Sequence, residues 1–186
     1  MRLGNVTLIA RFLFTVGALM SAQAFAGGPL IPDAMLVQWG ASDHVGEVTA
    51  GLSWNTGWAP FGQRSSVYVE ASLSRWMARA AKGPDQGTLW QVGLIPVLRY
   101  RSRSFDARWF TEVGVGATVT SRLYRSSDTR FATAFNFADH VAVGRSFCAD
   151  ARCELALRFE HFSNGGIKEP NPGKNFFQLR FVRYFE

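Results

Sequence analysis

Beyond residue 26 the sequence has no apolar run approaching the ~20 residues that a helix needs to cross a bilayer. A helical membrane domain is therefore excluded for that stretch. It also lacks an internal repeat, a low-complexity tract and a linker, so its 186 residues read as one domain. Cysteine is scarce, with only Cys148 and Cys153. Histidine is nearly as scarce, and of its three copies His44 and His140 read as structural or exposed. Acidic residues number 14 against 20 basic ones, a formal charge of +6.

What is abundant is aromatic side chain and glycine: 16 Phe, 6 Trp, 4 Tyr and 18 Gly. The first 26 residues read as a secretory signal. Arg2 and Arg11 supply the positive segment, Phe12 to Met20 the apolar one, and Ala24-Phe25-Ala26 the small-x-small cleavage site. The mature chain is expected to run from Gly27 to Glu186, and loss of the two arginines lowers +6 to +4. A basic exported protein has two open readings, contact with phosphorylated lipid head groups or a solvated charged rim. Export argues against a nucleic-acid partner. It also permits a disulfide between Cys148 and Cys153, which would clip a turn. A free pair is the alternative, because sequence does not fix the Cα geometry of a bridge.

About eight segments alternate with period two, the mark of a strand with two unlike faces. They run roughly Ala34 to Ala41, Val45 to Trp54, Val67 to Met77, Thr88 to Tyr100, Arg108 to Thr120, Phe131 to Phe147, Cys153 to His161 and Asn175 to Phe185. In the third, Val67, Val69, Ala71 and Leu73 share one face, and Tyr68, Glu70, Ser72 and Ser74 the other. Pro96 weakens the fourth. Turn-rich stretches lie between, at Asn55 to Ser66, Ala80 to Gly87, Tyr100 to Asp106 and Ser163 to Lys174. The pattern predicts an all-β fold, an eight-stranded antiparallel up-and-down outer-membrane barrel with apolar side chains toward lipid and polar ones inside. A soluble lipocalin-like barrel would have the inverse alternation. An even strand count places the Ser163 to Lys174 loop on the cell exterior and the Cys148 to Cys153 turn in the periplasm. Asn55 to Ser66 is long for a periplasmic turn.

Chemistry concentrates in Phe159-Glu160-His161-Phe162-Ser163-Asn164-Gly165-Gly166-Ile167-Lys168-Glu169-Pro170-Asn171-Pro172-Gly173. His161 and Ser163 are two apart and so share a strand face, with Leu155, Leu157 and Phe159. Glu154, Arg158 and Glu160 take the other face. If the apolar face meets lipid, the His and Ser also point outward, where polar groups are functional candidates. A His base beside a Ser hydroxyl, followed by an Asn-Gly-Gly turn rich in N–H donors, is what serine acyl transfer requires.

This run resembles the lipid A 3-O-deacylases of the PagL type. Their signature is similar to His-x-Ser-Asn-x-Gly-x-Lys-x-Pro-Asn-x-Gly, matched by His161, Ser163, Asn164, Gly166, Lys168, Pro170, Asn171 and Gly173. Phe135-Asn136-Phe137-Ala138-Asp139 resembles a Phe-x-Phe-x-Asp segment of the family's sixth strand. The resemblance implies Ser163 as nucleophile, His161 as base, and backbone N–H groups at Asn164 and Gly166 as oxyanion donors. It implies lipid A, or lipopolysaccharide, as substrate in the outer membrane, and neither metal nor organic cofactor. Lys168, Asn171, Phe135 and Phe137 become substrate-binding candidates, and Lys174 could meet lipid A phosphates. One departure matters. The family places a Glu just after the Pro-Asn-x-Gly turn, where this chain has Lys174 and Asn175. Asn175 is the expected substitute and Glu169 the alternative, since Asn can orient a catalytic His. Asp139 shares parity with Phe135 and Phe137, which aims a carboxylate at lipid, and a bulge that resets the face is expected there. The competing reading is a structural or adhesive eight-stranded outer-membrane barrel without chemistry.

Overall fold

The computed structural model describes residues 31–78, 88–102, 108–126, 129–148 and 150–185. The expected signal segment, the Ala80 to Gly87 turn and most of the Tyr100 to Asp106 turn lie outside the described residues. Eight strands follow in chain order: β1 Ala34–Ser42, β2 Val45–Asn55, β3 Ser65–Ala78, β4 Thr88–Arg101, β5 Trp109–Thr120, β6 Phe135–Phe147, β7 Cys153–Ser163 and β8 Lys174–Tyr184. Each pairs antiparallel with its sequence neighbours, and β1 pairs with β8 to close the barrel. Closure leaves no sheet edge unpaired, the condition for a sheet to live in hydrocarbon.

The alternation is inside-out relative to a soluble barrel. Outward side chains are apolar and bare, with Leu157 64%, Val141 57% and Phe177 73% exposed. Inward ones are polar and buried, among them Gln38, Thr49, Glu70, Gln91, Glu112, His140 and Arg180. The lipocalin-like alternative is therefore excluded, and the wall is that of a membrane barrel. No helix among the described residues is long and apolar enough to cross a membrane.

Eight strands leave an interior that side chains can fill. Here ion pairs fill its middle and one end. Arg158 and Arg180 both reach Glu70, Arg158 Nη2 at 3.1 Å. Arg99 bridges Glu112 at 2.6 Å and Glu154 at 2.8 Å, and Tyr68 donates to Glu112 at 2.8 Å. The other end is closed by aromatic rings. Trp76 packs against Tyr124, Phe131, Phe162 and Phe176 at centroid distances of 4.7–6.4 Å.

Two differences in boundary from the period-two reading bear on the site and the barrel mouth. β6 begins at Phe135, because Phe131 belongs to the aromatic plug and its N–H donates to Tyr124 O at 3.0 Å. β7 continues to Ser163, so the His and Ser both lie within a strand. Pro96 sits inside β4 without ending it. The β4–β5 pairs run Leu94↔Ala117 and then Val97↔Gly114, so the missing proline N–H falls in a gap of the ladder. Gly116 of β5 lies over that gap, where a Cβ would meet Leu94 O at 2.4 Å. The long Asn55 to Ser66 connection is folded on itself, with Thr56 N–H bonded to Val67 O and Ser65 Oγ to Gly62 O. Cys148 and Cys153 are joined in a disulfide across the β6–β7 turn, with a Cα–Cα distance of 5.6 Å.

Candidate active site

β7 carries two chemistries on its two faces. Leu155, Leu157 and Phe159 are exposed on the outer wall, and His161 and Ser163 follow on that same face, half-buried. Glu154, Arg158 and Glu160 are buried in the lumen. The strand pleat alone produces this separation.

Register then builds a row across three strands. His161 pairs with Asp139 of β6 on one side and with Asn175 of β8 on the other. The expected bulge at Asp139 is absent. Pairing with β7 is continuous from Phe137 to Phe147, so Asp139 faces outward beside His161. The period-two spacing of Phe135, Phe137 and Asp139 was the correct signal.

His161 Nδ1 lies 2.6 Å from Asn175 Oδ1. A carboxamide oxygen only accepts, so Nδ1 carries the proton and donates it, leaving Nε2 as the free base. The Cε1–Nε2 edge rests against Gly173, where a Cβ would stand 2.6 Å from Cε1 and 3.2 Å from Nε2. Phe162 pairs with Lys174. Gly173 immediately precedes that last pair of the β7–β8 ladder. Gly173 also has φ 69°, so two independent constraints demand glycine there. The Ser163 hydroxyl has no hydrogen bond to another described residue.

The 164–173 loop is held by its own asparagines. Asn164 is buried; its Oδ1 accepts from Gly166 N–H at 2.9 Å and its Nδ2 donates to Lys168 O at 2.6 Å. The Asn164 N–H donates to Asn171 Oδ1 at 2.9 Å. Both backbone N–H groups named from sequence thus have partners within the loop. Glu169 accepts from Asn171 N–H at 3.0 Å, so its carboxylate serves the loop, whereas Asn175 holds the imidazole. Lys168 is exposed. Lys174 is buried and donates Nζ to Asp43 O at 2.8 Å, which ties β8 to the β1–β2 turn. Phe135 and Phe137 meet edge to face at 5.1 Å, and Phe137 is the cross-strand partner of Ser163.

An open groove of about 580 Å³ adjoins the row, lined by Ala41, Asp43, Phe159, Gly173, Asn175 and Phe177 among others. Phe159 and Phe177 in its wall continue the apolar outer surface. The sequence reading missed it because the β1–β2 turn and β8 meet only on barrel closure. Of the other histidines, His140 is in the lumen, 3.7 Å from Glu160 Oε1, and its ring occupies the space a Cβ at Gly114 would need. His44 is in the β1–β2 turn with φ 60°.

A family model described as lipid A 3-O-deacylase (PagL) matches residues 46–183. A lipid A deacylase PagL of Bordetella bronchiseptica is 34% identical over 177 residues, spanning 93% of this chain and 95% of its own length. A lipid A deacylase PagL of Pseudomonas aeruginosa is 28% identical over 133 residues, 69% of this chain and 72% of that protein. A solved structure of the outer membrane enzyme PagL superposes with a TM-score of 0.68 at 22% identity, over 82% of this chain and 99% of that one. At that identity the superposition speaks for the barrel.

Proposed function

The chain belongs to the lipid A 3-O-deacylase family, and on that premise we propose that it hydrolyses the ester-linked 3-hydroxyacyl chain at the 3-position of lipid A, with Ser163 as nucleophile and His161 as base. The protein is a hydrolase of the outer membrane. The observation that carries the mechanism is the outward placement of His161 with Nδ1 fixed by Asn175. A catalytic pair in the lumen would be closed to a lipid by the aromatic plug and the ion pairs. On the outer wall it meets a lipid moving laterally in its own leaflet.

Ser163 Oγ attacks the ester carbonyl carbon as its proton passes to His161 Nε2. The tetrahedral intermediate carries an oxyanion, for which the donors are the backbone N–H groups of Asn164 and Gly166. Within the loop they are held by carboxamide oxygens. A charged oxygen is the stronger acceptor and displaces Asn171 Oδ1 from Asn164 N–H. Collapse breaks the bond to the sugar 3-oxygen, which takes the proton from His161 and leaves as the alcohol. Water, deprotonated by His161, then attacks the acyl-Ser163 ester; the bond to Ser163 Oγ breaks, Oγ takes the proton back from His161, and a 3-hydroxy fatty acid is released. Such Ser–His pairs are often looser before substrate binds, which fits a Ser163 hydroxyl with no hydrogen bond among the described residues. Phe135 and Phe137 flank the nucleophile, Asn171 holds the loop, and Lys168 faces the anionic head group.

Mass spectrometry of lipid A treated with the purified, folded barrel tests this. Wild type removes one 3-hydroxyacyl chain and Ser163→Ala removes none. Unchanged lipid A with folded wild type, or full activity in Ser163→Ala, would overturn the proposal.

A further inference from the structure

Accepting the Ser163 proton turns His161 into a cation on the outer wall, where charge is poorly solvated. Asn175 fixes the tautomer but is neutral, so it leaves that charge uncompensated. The acids nearest in sequence are committed elsewhere. Glu160 points into the lumen and accepts from Gln178 at 2.7 Å, and Glu169 bonds the Asn171 N–H.

Asp139 is different. It is the direct cross-strand partner of His161, on the same outward face, half-buried, in an uninterrupted register. Direct antiparallel neighbours hold their Cβ atoms roughly 4.5–5.5 Å apart. Its carboxylate has no hydrogen bond or ion pair among the described residues, and it interacts electrostatically with His161. A carboxylate held toward lipid without a partner is costly unless it serves a charge that comes and goes.

We propose that Asp139 is a positioning residue for the deacylase reaction, supplying from β6 the negative charge that stabilises the His161 imidazolium, while Asn175 holds the ring from β8. The two tasks that one carboxylate performs in a Ser-His-acid triad are divided between the two strands flanking the histidine. Asp139 takes no proton in the proposed reaction; each proton passes through His161, first from Ser163 to the leaving oxygen and then from water to Ser163. This inference rests on the Ser163–His161 reading above.

The test measures kcat and KM on lipid A in mixed micelles for wild type, Asp139→Asn, the double variant Asp139→Asn with Asn175→Asp, and Ser163→Ala. Folding of each is checked by the heat-dependent mobility of the barrel on a gel. Asp139→Asn is expected to lower kcat about 100-fold, the scale of one lost transition-state electrostatic contact, with KM within about twofold. The double variant returns the charge through the other neighbour and is expected to recover at least about tenfold of the lost kcat. A merely structural Asp139 would change folding or KM and would not be rescued from β8. Wild-type kcat in folded Asp139→Asn, or no recovery in the folded double variant, would overturn the assignment. Activity remaining in Ser163→Ala would bring down the underlying reading instead.

Discussion

The two faces of β7 hold polar groups under opposite rules. Inside, Glu154 is bonded by Arg99 and Arg101, Arg158 by Glu70, and Glu160 by Gln178. Outside, the side chains of Ser163 and, on neighbouring β6, of Asp139 have no hydrogen bond among the described residues, and the His161 ring has the single bond to Asn175. Buried charges must be paired, so lumen polarity is structure. Polar groups on a lipid-facing wall are kept without that compensation, so their polarity is chemistry. Substitutions on the two faces should therefore separate stability from turnover.

The largest effect on turnover is expected from Ser163→Ala. Loss of a nucleophile costs at least about 1000-fold in related chemistry, so release of fatty acid should fall below detection while the barrel's urea midpoint stays put. On the inner face, Glu70→Ala leaves Arg158 and Arg180 without their shared partner. A destabilisation of about 3–5 kcal/mol is expected, read as a lower urea midpoint of the folded band, while the barrels that do fold keep their kcat. If Glu70→Ala instead lost turnover at unchanged stability, the division between faces would fail.

Gly173→Ala falls between. A methyl group there meets the His161 ring edge. Displacement by about an ångström should lower kcat about 100-fold with little change in KM, as measured by steady-state kinetics. Asn175→Ala removes the acceptor at Nδ1 and frees the tautomer, and a loss of about tenfold or more in kcat is expected. The smallest effect belongs to Lys168→Ala. An exposed charge contributes about 0–1 kcal/mol, so KM for phosphorylated lipid A should rise no more than about fivefold, with the rise fading at high salt.

Much of this was legible in the sequence because the strand period is short and strict. Alternation alone separated His161 and Ser163 from Glu154, Arg158 and Glu160, and the structure keeps that division. It also assigned Glu70 and Tyr68 to the same face, now the lumen. The limits came where local pattern meets long-range pairing. Phe131 looked like strand because it is apolar, yet its ring fills the mouth of the barrel against Trp76. Asp139 looked misplaced because a carboxylate facing lipid is unfavourable in isolation; register shows that its neighbour is His161. The choice between Asn175 and Glu169 as the partner of the imidazole depended on a cross-strand distance that spacing does not encode.

The central claim is that an activated serine stands on the outer wall. Its most direct test is peptide mass mapping after treatment of the folded barrel with a lipophilic fluorophosphonate, which reports nucleophile activation without lipid A. The account predicts a single adduct on Ser163, lost in His161→Ala. An adduct on another residue, or unchanged labelling in His161→Ala, would contradict it.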